Sequence, residues 1–145
     1  MKISTRRCPT ICFPNSRQIV ADLDRYTDFL IWAVIDSKNL SAQARRIMLG
    51  ATEVFVSSAS IWEIAIKARL GKLEGNPNEF AEAIVQSGFQ EIAVMAHHAA
   101  KVYDLPLYHR DPFDRLLIAQ AISEPLRLLT ADKVLARYSE LVMTV

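Results

Sequence analysis

The sequence predicts an α/β fold in which a mainly parallel sheet lies between two layers of helices. Short apolar runs alternate along the chain with longer segments of helical periodicity. Capping residues and glycines stand where those helical segments begin and end. Strands that alternate with helices imply right-handed crossovers, which place helices on both faces of the sheet. We therefore expect a three-layer α/β/α domain.

Length and composition are those of one globular domain. The chain has 145 residues, of which 51% are hydrophobic and 23% are charged, so a disordered chain is excluded. The net charge is +1, and any contact with nucleic acid must therefore be local. No signal peptide or apolar run of membrane-spanning length is evident, and we expect a soluble, cytoplasmic protein without a membrane partner.

The expected domain covers residues 18–145, preceded by an irregular leader at residues 1–17. The leader contains two prolines and shows no sustained period. Cys8 and Cys12 form a single C-x3-C pair, whereas a four-ligand zinc site or a disulfide framework needs more cysteines. We interpret them as reduced thiols.

The first half of the domain is predicted to begin with a strand at residues 19–23 and a buried helix at residues 29–35. Ser41 can cap a helix that ends near Gly50, where glycine accepts a left-handed stop. Residues 54–56 form a continuous β-branched and aromatic run, which is typical of a parallel strand covered on both faces.

The next two predicted helices are delimited by their capping residues. Ser60 and Glu63 form a capping-box pattern that begins a helix through residue 70, and Gly71 supplies its stop. Asn76 and Pro77 begin a second helix that Gly88 ends. A short strand at residues 92–94 and a short helix at residues 97–103 follow.

The last third contains the clearest helix. Asp111 is a cap and Pro112 a first-turn proline, and the apolar pattern continues until Pro125. Residues 126–129 are predicted to form a strand, residues 131–138 a short helix and residues 141–145 the last strand.

Acidic residues follow the predicted strands. In open α/β sheets, ligands lie beyond the carboxyl ends of the strands, so these positions indicate a site. Clustered carboxylates repel one another unless a cation lies between them, and oxygen ligands suit Mg²⁺ or Mn²⁺. The four candidate catalytic and metal-binding acids are Asp24, Glu63, Asp114 and Asp132.

Each acid taken singly has a simpler interpretation, because carboxylates are favoured in the first turns of helices. Glu63 could serve only the capping box of Ser60, and Asp111 only the cap of its own helix. Capping does not, however, require four acids at one edge of one sheet. The set as a whole favours a metal site.

Three segments resemble the acidic motifs of PIN-domain ribonucleases, in particular the VapC-type toxins of type II toxin–antitoxin systems. Residues 57–67 (SSASIWEIAIK) resemble the second motif and residues 109–121 (HRDPFDRLLIAQA) the third. Residues 128–132 (LLTAD) are similar to the fourth, and the likeness runs from about residue 28 to residue 145. The resemblance implies a PIN-like domain with Glu63, Asp114 and Asp132 as metal-site carboxylates.

The first motif departs from the family pattern, in which an aspartate precedes a threonine. Thr27 matches that threonine, but Tyr26 stands at the position of the aspartate. Asp24 replaces it if two residues are inserted, and Asp28 does so if the helix start is shifted. We expect Asp24, since it follows the predicted first strand; a frameshifted gene start within residues 1–27 is a further hypothesis, which the nucleotide sequence would test.

The resemblance implies a metal-dependent endoribonuclease that hydrolyses RNA phosphodiesters with metal-activated water. It also implies a cognate antitoxin and a homodimer, to which the apolar residues Ile61, Trp62 and Ile66 could contribute. Several basic side chains near the motif helices could contact RNA phosphates or simply form solvated helix faces. They are Lys67, Arg69, Lys72, Arg110 and Arg115.

Other functions have less support. A catalytically impaired PIN-fold module that acts through dimerisation or antitoxin binding is the main alternative, and the unusual first motif favours it. A metal-dependent phosphatase would need a nucleophile pattern after the first strand that is not evident, and no glycine-rich phosphate loop or nucleophile elbow is present. His97, His98 and His109 lack metal-site spacing within one element, and we expect His98 to be structural.

Overall fold

The computed structural model describes the backbone of residues 18–21 and residues 41–145, and it contains a parallel sheet. In these residues the sheet has five strands in the order β3-β2-β1-β4-β5. Every pairing between neighbouring strands is parallel, as predicted. The strands are β1 (Gln18–Ala21), β2 (Glu53–Ser57), β3 (Gln90–Ile92), β4 (Arg127–Thr130) and β5 (Val142–Thr144).

Helices connect the strands at the predicted places. They are α1 (Ala42–Gly50), α2 (Ser58–Arg69), α3 (Pro77–Gln86), α4 (Ala96–Lys101) and α5 (Pro112–Ser123). Short 3-10 turns occupy Val102–Asp104 and Leu135–Arg137. The leader at residues 1–17, with Cys8 and Cys12, and the predicted helix at residues 29–35 lie outside the described residues.

The sheet is covered on both faces. Leu128 and Leu129 are neighbours on β4, and their side chains enter two different apolar clusters because successive strand residues face opposite sides. Leu129 packs with residues of α1, α2 and α3, whereas Leu128 packs with residues of α5 and the second 3-10 turn. This arrangement confirms the three-layer α/β/α prediction.

Most of the predicted helix boundaries are confirmed. Ser41 Oγ accepts a hydrogen bond from Ala44 N at 3.0 Å at the start of α1. Asn76 caps α3. Gly71 and Gly88 adopt φ values of +70° and +77° after α2 and α3, the left-handed conformation that glycine permits.

Three local predictions are wrong. Gly50 is the last residue of α1, and the chain leaves through Ala51 in an extended conformation instead of a left-handed glycine. Helix α2 is capped by Ser57, whose Oγ accepts from Ala59 N, so Ser60 and Glu63 do not form a capping box. The predicted helix at residues 131–138 is only the 3-10 turn, since side chains hydrogen-bond the backbone before it and compete with a helix.

Candidate metal centre

The strand order places a topological switch point between β1 and β4. The chain runs outwards from β1 through β2 to β3 and then returns to β4 on the other side of β1. The carboxyl ends of β1 and β4 therefore mark the edge of the sheet where ligands bind in open α/β folds. Asp132 lies just after β4, and Asp114 lies at the start of the helix that precedes it.

Asp111 caps helix α5 and leaves Asp114 with another role. Asp111 Oδ1 accepts hydrogen bonds from Phe113 N at 2.8 Å and Asp114 N at 3.2 Å. The capping interpretation of Asp111 is therefore confirmed. The carboxylate of Asp114 points inwards and the residue is only 3% exposed. A charged group buried at this edge of the sheet needs partners, and His109 is one of them.

Asp132 is held in a tight turn after β4. Thr130 Oγ1 accepts a hydrogen bond from Asp132 N at 3.0 Å, and Asp132 Oδ1 accepts one from Val134 N at 2.8 Å. These bonds fix the carboxylate with its other oxygen, Oδ2, facing His109.

His109 lies between these two acids. Its Nδ1 is 3.3 Å from Asp114 Oδ2, and its Nε2 is 3.3 Å from Asp132 Oδ2. The three residues each offer a ligand atom, and these atoms all lie within 4.8 Å of one another. We call this group the His109 cluster. The spacing argument from the sequence missed His109, because its neighbours in space come from different elements.

The other two predicted site acids, Glu63 and Asp24, are not part of the described His109 cluster. Glu63 is buried on α2 and forms an ion pair with Lys67 Nζ at 2.9 Å; it is not a member of the group within 4.8 Å among the described residues. Trp62 and Phe113, which precede Glu63 and Asp114 in the chain, are in contact. Their rings pack edge to face with 5.1 Å between the ring centroids. Asp24 and its alternative Asp28 lie outside the described residues.

A second buried contact joins the end of β2 to α5. Ser57 Oγ donates a hydrogen bond to Gln120 Oε1 at 2.5 Å, and Gln120 Nε2 donates to Ala93 O at 3.3 Å. Ser57 and Gln120 are both completely buried. Each belongs to one of the two motif segments, so this bond fixes the helices that carry Glu63 and Asp114.

The basic residues divide into surface and interior positions. Arg110 is exposed, and Lys67 is partly exposed beside Glu63. Arg115 is only 9% exposed, and its guanidinium donates to the carbonyls of Pro106, Val102 and Leu105. The sequence suggested that Arg115 contacts an RNA phosphate, but its guanidinium is turned inwards. Its donors stabilise the loop before α5 instead.

The donor set of the His109 cluster fits a hard divalent cation. Two carboxylates from separate elements converge there, and carboxylate oxygens are the ligands that Mg²⁺ and Mn²⁺ prefer. The resemblance implied three metal-site acids. Two of them, Asp114 and Asp132, lie close together, and the third, Glu63, lies on the adjacent helix α2.

The family assignment rests on the sequence and agrees with this fold. The PIN-domain family model matches residues 27–141, and the chain belongs to that family. Its structure is similar to the crystal structure of VapBC2 from Rickettsia felis bound to a DNA fragment from their promoter, with a TM-score of 0.59 and 14% identity. That match covers 88% of this chain and 97% of the other.

At this identity the structural likeness supports the fold alone. No curated protein sequence matches the chain significantly. Among the described residues, no helix has both the length and the hydropathy to cross a bilayer.

Proposed function

We propose that this PIN-domain protein is a Mg²⁺- or Mn²⁺-dependent endoribonuclease and the toxin of a toxin–antitoxin pair. The observation that carries the proposal is the convergence of Asp114 and Asp132 at the carboxyl edge of the sheet, within 4.8 Å of His109. A VapBC2 structure shares the fold, and the toxin–antitoxin role is carried over from that structure as part of the proposal.

The proposed metal ligands are Asp114 and Asp132, with Glu63 and Asp24 completing the acidic set. Asp114 and Asp132 would hold a divalent cation, which would supply stabilisation of the charge that develops on a phosphodiester and activation of water, so no protein nucleophile would be needed. The chain itself supplies the ligand arrangement: the turn after β4 holds Asp132, and the Asp111 cap fixes the first turn that carries Asp114.

RNA is the proposed substrate, and basic side chains at the rim are its proposed phosphate contacts. Arg110 is exposed beside His109, and Lys67 is one turn along α2 from Glu63. Phosphate contacts of this kind position the RNA without recognising its base sequence.

The proposed protein partners are a cognate antitoxin and a second copy of the chain. An apolar groove of about 430 Å³ is lined by residues that include Trp62, Ile66, Val102, Phe113 and Leu116. Trp62 is 61% exposed although it is large and apolar. Exposed apolar surface of this kind favours an interface. Light scattering at micromolar concentration should give a dimer, and a monomer would contradict this part of the proposal.

A PIN-fold binding module without catalysis is the second candidate function. The observation in its favour is Tyr26, which stands at the position of the first aspartate in the family pattern. Such a binding module would use the same apolar groove as the proposed nuclease, but it would need no metal.

The deciding experiment is cleavage of a panel of single-stranded and structured RNAs with and without Mn²⁺. Asp114→Asn should reduce metal-dependent cleavage by more than about 100-fold, since even changes outside the ligands of a metal site cost 10–100-fold. Glu124→Gln, the same change of a carboxylate to an amide away from the site, is the matched control and should retain activity.

Retained cleavage in Asp114→Asn would remove this residue from the site. A wild-type chain that cleaves no RNA at any metal concentration, and binds none of the metal, would favour the binding module.

A further inference from the structure

The loop that carries His109 is fixed from the protein interior. Tyr138 Oη accepts hydrogen bonds from His109 N at 2.8 Å and from Arg115 Nη1 at 3.2 Å. The buried Arg115 guanidinium also binds the carbonyl of Pro106 in the same loop at 2.7 Å. The main chain at His109 is therefore set by α5 and by the segment after β4 together.

The hydrogen bond from Asp111 N orients the imidazole. It reaches His109 Nδ1 at 3.2 Å, and the same nitrogen lies 3.3 Å from Asp114 Oδ2. The other ring nitrogen, Nε2, faces Asp132 Oδ2 at 3.3 Å. In the tautomer with its hydrogen on Nε2, the ring donates to this oxygen.

We infer that His109 is a positioning residue that sets the orientation of Asp132 and its separation from Asp114. The inference rests on the proposed function, because it assigns a role within the proposed metal site. Asp132 Oδ1 is held by Val134 N, and the imidazole faces Oδ2, so both oxygens have defined directions. Two carboxylates that repel each other need such a spacer to keep one geometry before the cation binds.

Groups that orient metal ligands affect metal affinity without touching the metal, typically by 10–100-fold. His109→Ala removes the spacer and should weaken Mn²⁺ binding by a factor in this range. His109→Gln should bind close to wild-type strength, because the glutamine amide can present an N–H near the position of the imidazole Nε2. Mn²⁺ binding that is weak in His109→Ala and restored in His109→Gln would show that His109 acts by orienting Asp132 and not only by filling space.

The test is calorimetric titration of Mn²⁺ into the full chain without RNA, comparing wild type, His109→Ala and His109→Gln. His98→Gln is the matched control and should bind Mn²⁺ as wild type does. It replaces a histidine in a second His–carboxylate cluster, formed by His97, His98 and Glu124. Circular dichroism verifies that each variant is folded; His109 N retains its bond to Tyr138 in both His109 variants.

The outcomes separate the two proposals. Wild type that binds Mn²⁺ with His109→Ala of equal affinity overturns the positioning role and leaves the proposed function intact. Weak binding by both His109→Ala and His109→Gln also overturns it, because the N–H at Nε2 would then not be what matters. Wild type that binds no Mn²⁺ overturns the proposed function itself, and the positioning role with it.

Discussion

Two His–carboxylate clusters of this protein have similar composition and different geometry. In the His109 cluster, the ring lies 3.3 Å from each of two acids. In the second, which we call the His98 cluster, His97 and His98 both approach Glu124 Oε1, at 3.1 Å and 2.6 Å. Both clusters offer three candidate ligand atoms within 4.8 Å.

The hydrogen bonds of the His98 cluster argue against a cation there. Met95 N donates to His98 Nδ1 at 3.0 Å, so that nitrogen uses its lone pair and Nε2 donates to Glu124. Both ring nitrogens of a side chain only 1% exposed are thereby engaged. The cluster joins the start of α4 to Glu124 at the end of α5. Composition alone does not distinguish a metal site from such a structural contact; position and hydrogen bonding do.

The largest expected effect on stability is that of His98→Ala. The change removes a buried ring and leaves the Met95 N–H and the Glu124 carboxylate without this partner, at a cost of about 3 kcal/mol. Urea denaturation should measure the loss, and Mn²⁺ binding by the folded variant should be unchanged. A loss below about 1 kcal/mol would show that the His98 cluster is not the structural contact described above.

A smaller change should come from divalent metal. Mn²⁺ at 100 times its Kd should stabilise the wild-type chain by about 2.7 kcal/mol and raise Tm by roughly 5–10 °C. Asp114→Asn should shrink the rise, whereas Glu124→Gln should keep it. Thermal scans with and without Mn²⁺ measure both. A rise lost in Glu124→Gln but kept in Asp114→Asn would exchange the roles of the two clusters.

The smallest effect is a pH dependence at Glu124. The hydrogen bond from His98 holds the pKa of this carboxyl below its usual 4.5, and the bond from His97 adds to it, while burial acts in the opposite direction. A lowered pKa in the folded state means that the stabilisation is complete above pH 4.5 and is lost as the pH falls through the folded value.

The difference in unfolding free energy between wild type and Glu124→Gln should therefore be largest near neutral pH and shrink below pH 4.5. Urea titrations at several pH values test this. A difference that grows as the pH falls would contradict the assigned direction of the pKa shift.

Local chemistry made much of the fold predictable from the sequence. Asp111 followed by Pro112, and Asn76 followed by Pro77, begin helices because a side-chain acceptor and a fixed φ act within a few residues. The prediction failed where neighbours compete: Ser57 caps α2 in place of Ser60, and side-chain bonds of Thr130 and Asp132 replace a helix after β4.

The acids of the site were predictable for a related reason, since residues that follow parallel strands share one edge of the sheet. The sequence by itself determined the alternation of strands and helices, the capped start of α5 and the position of Asp114 within it. The tertiary structure alone decided that His109 lies between Asp114 and Asp132, and that Arg115 turns inwards to bind three carbonyls. Those contacts join segments distant in the chain, and no local preference of either partner specifies which other segment it meets.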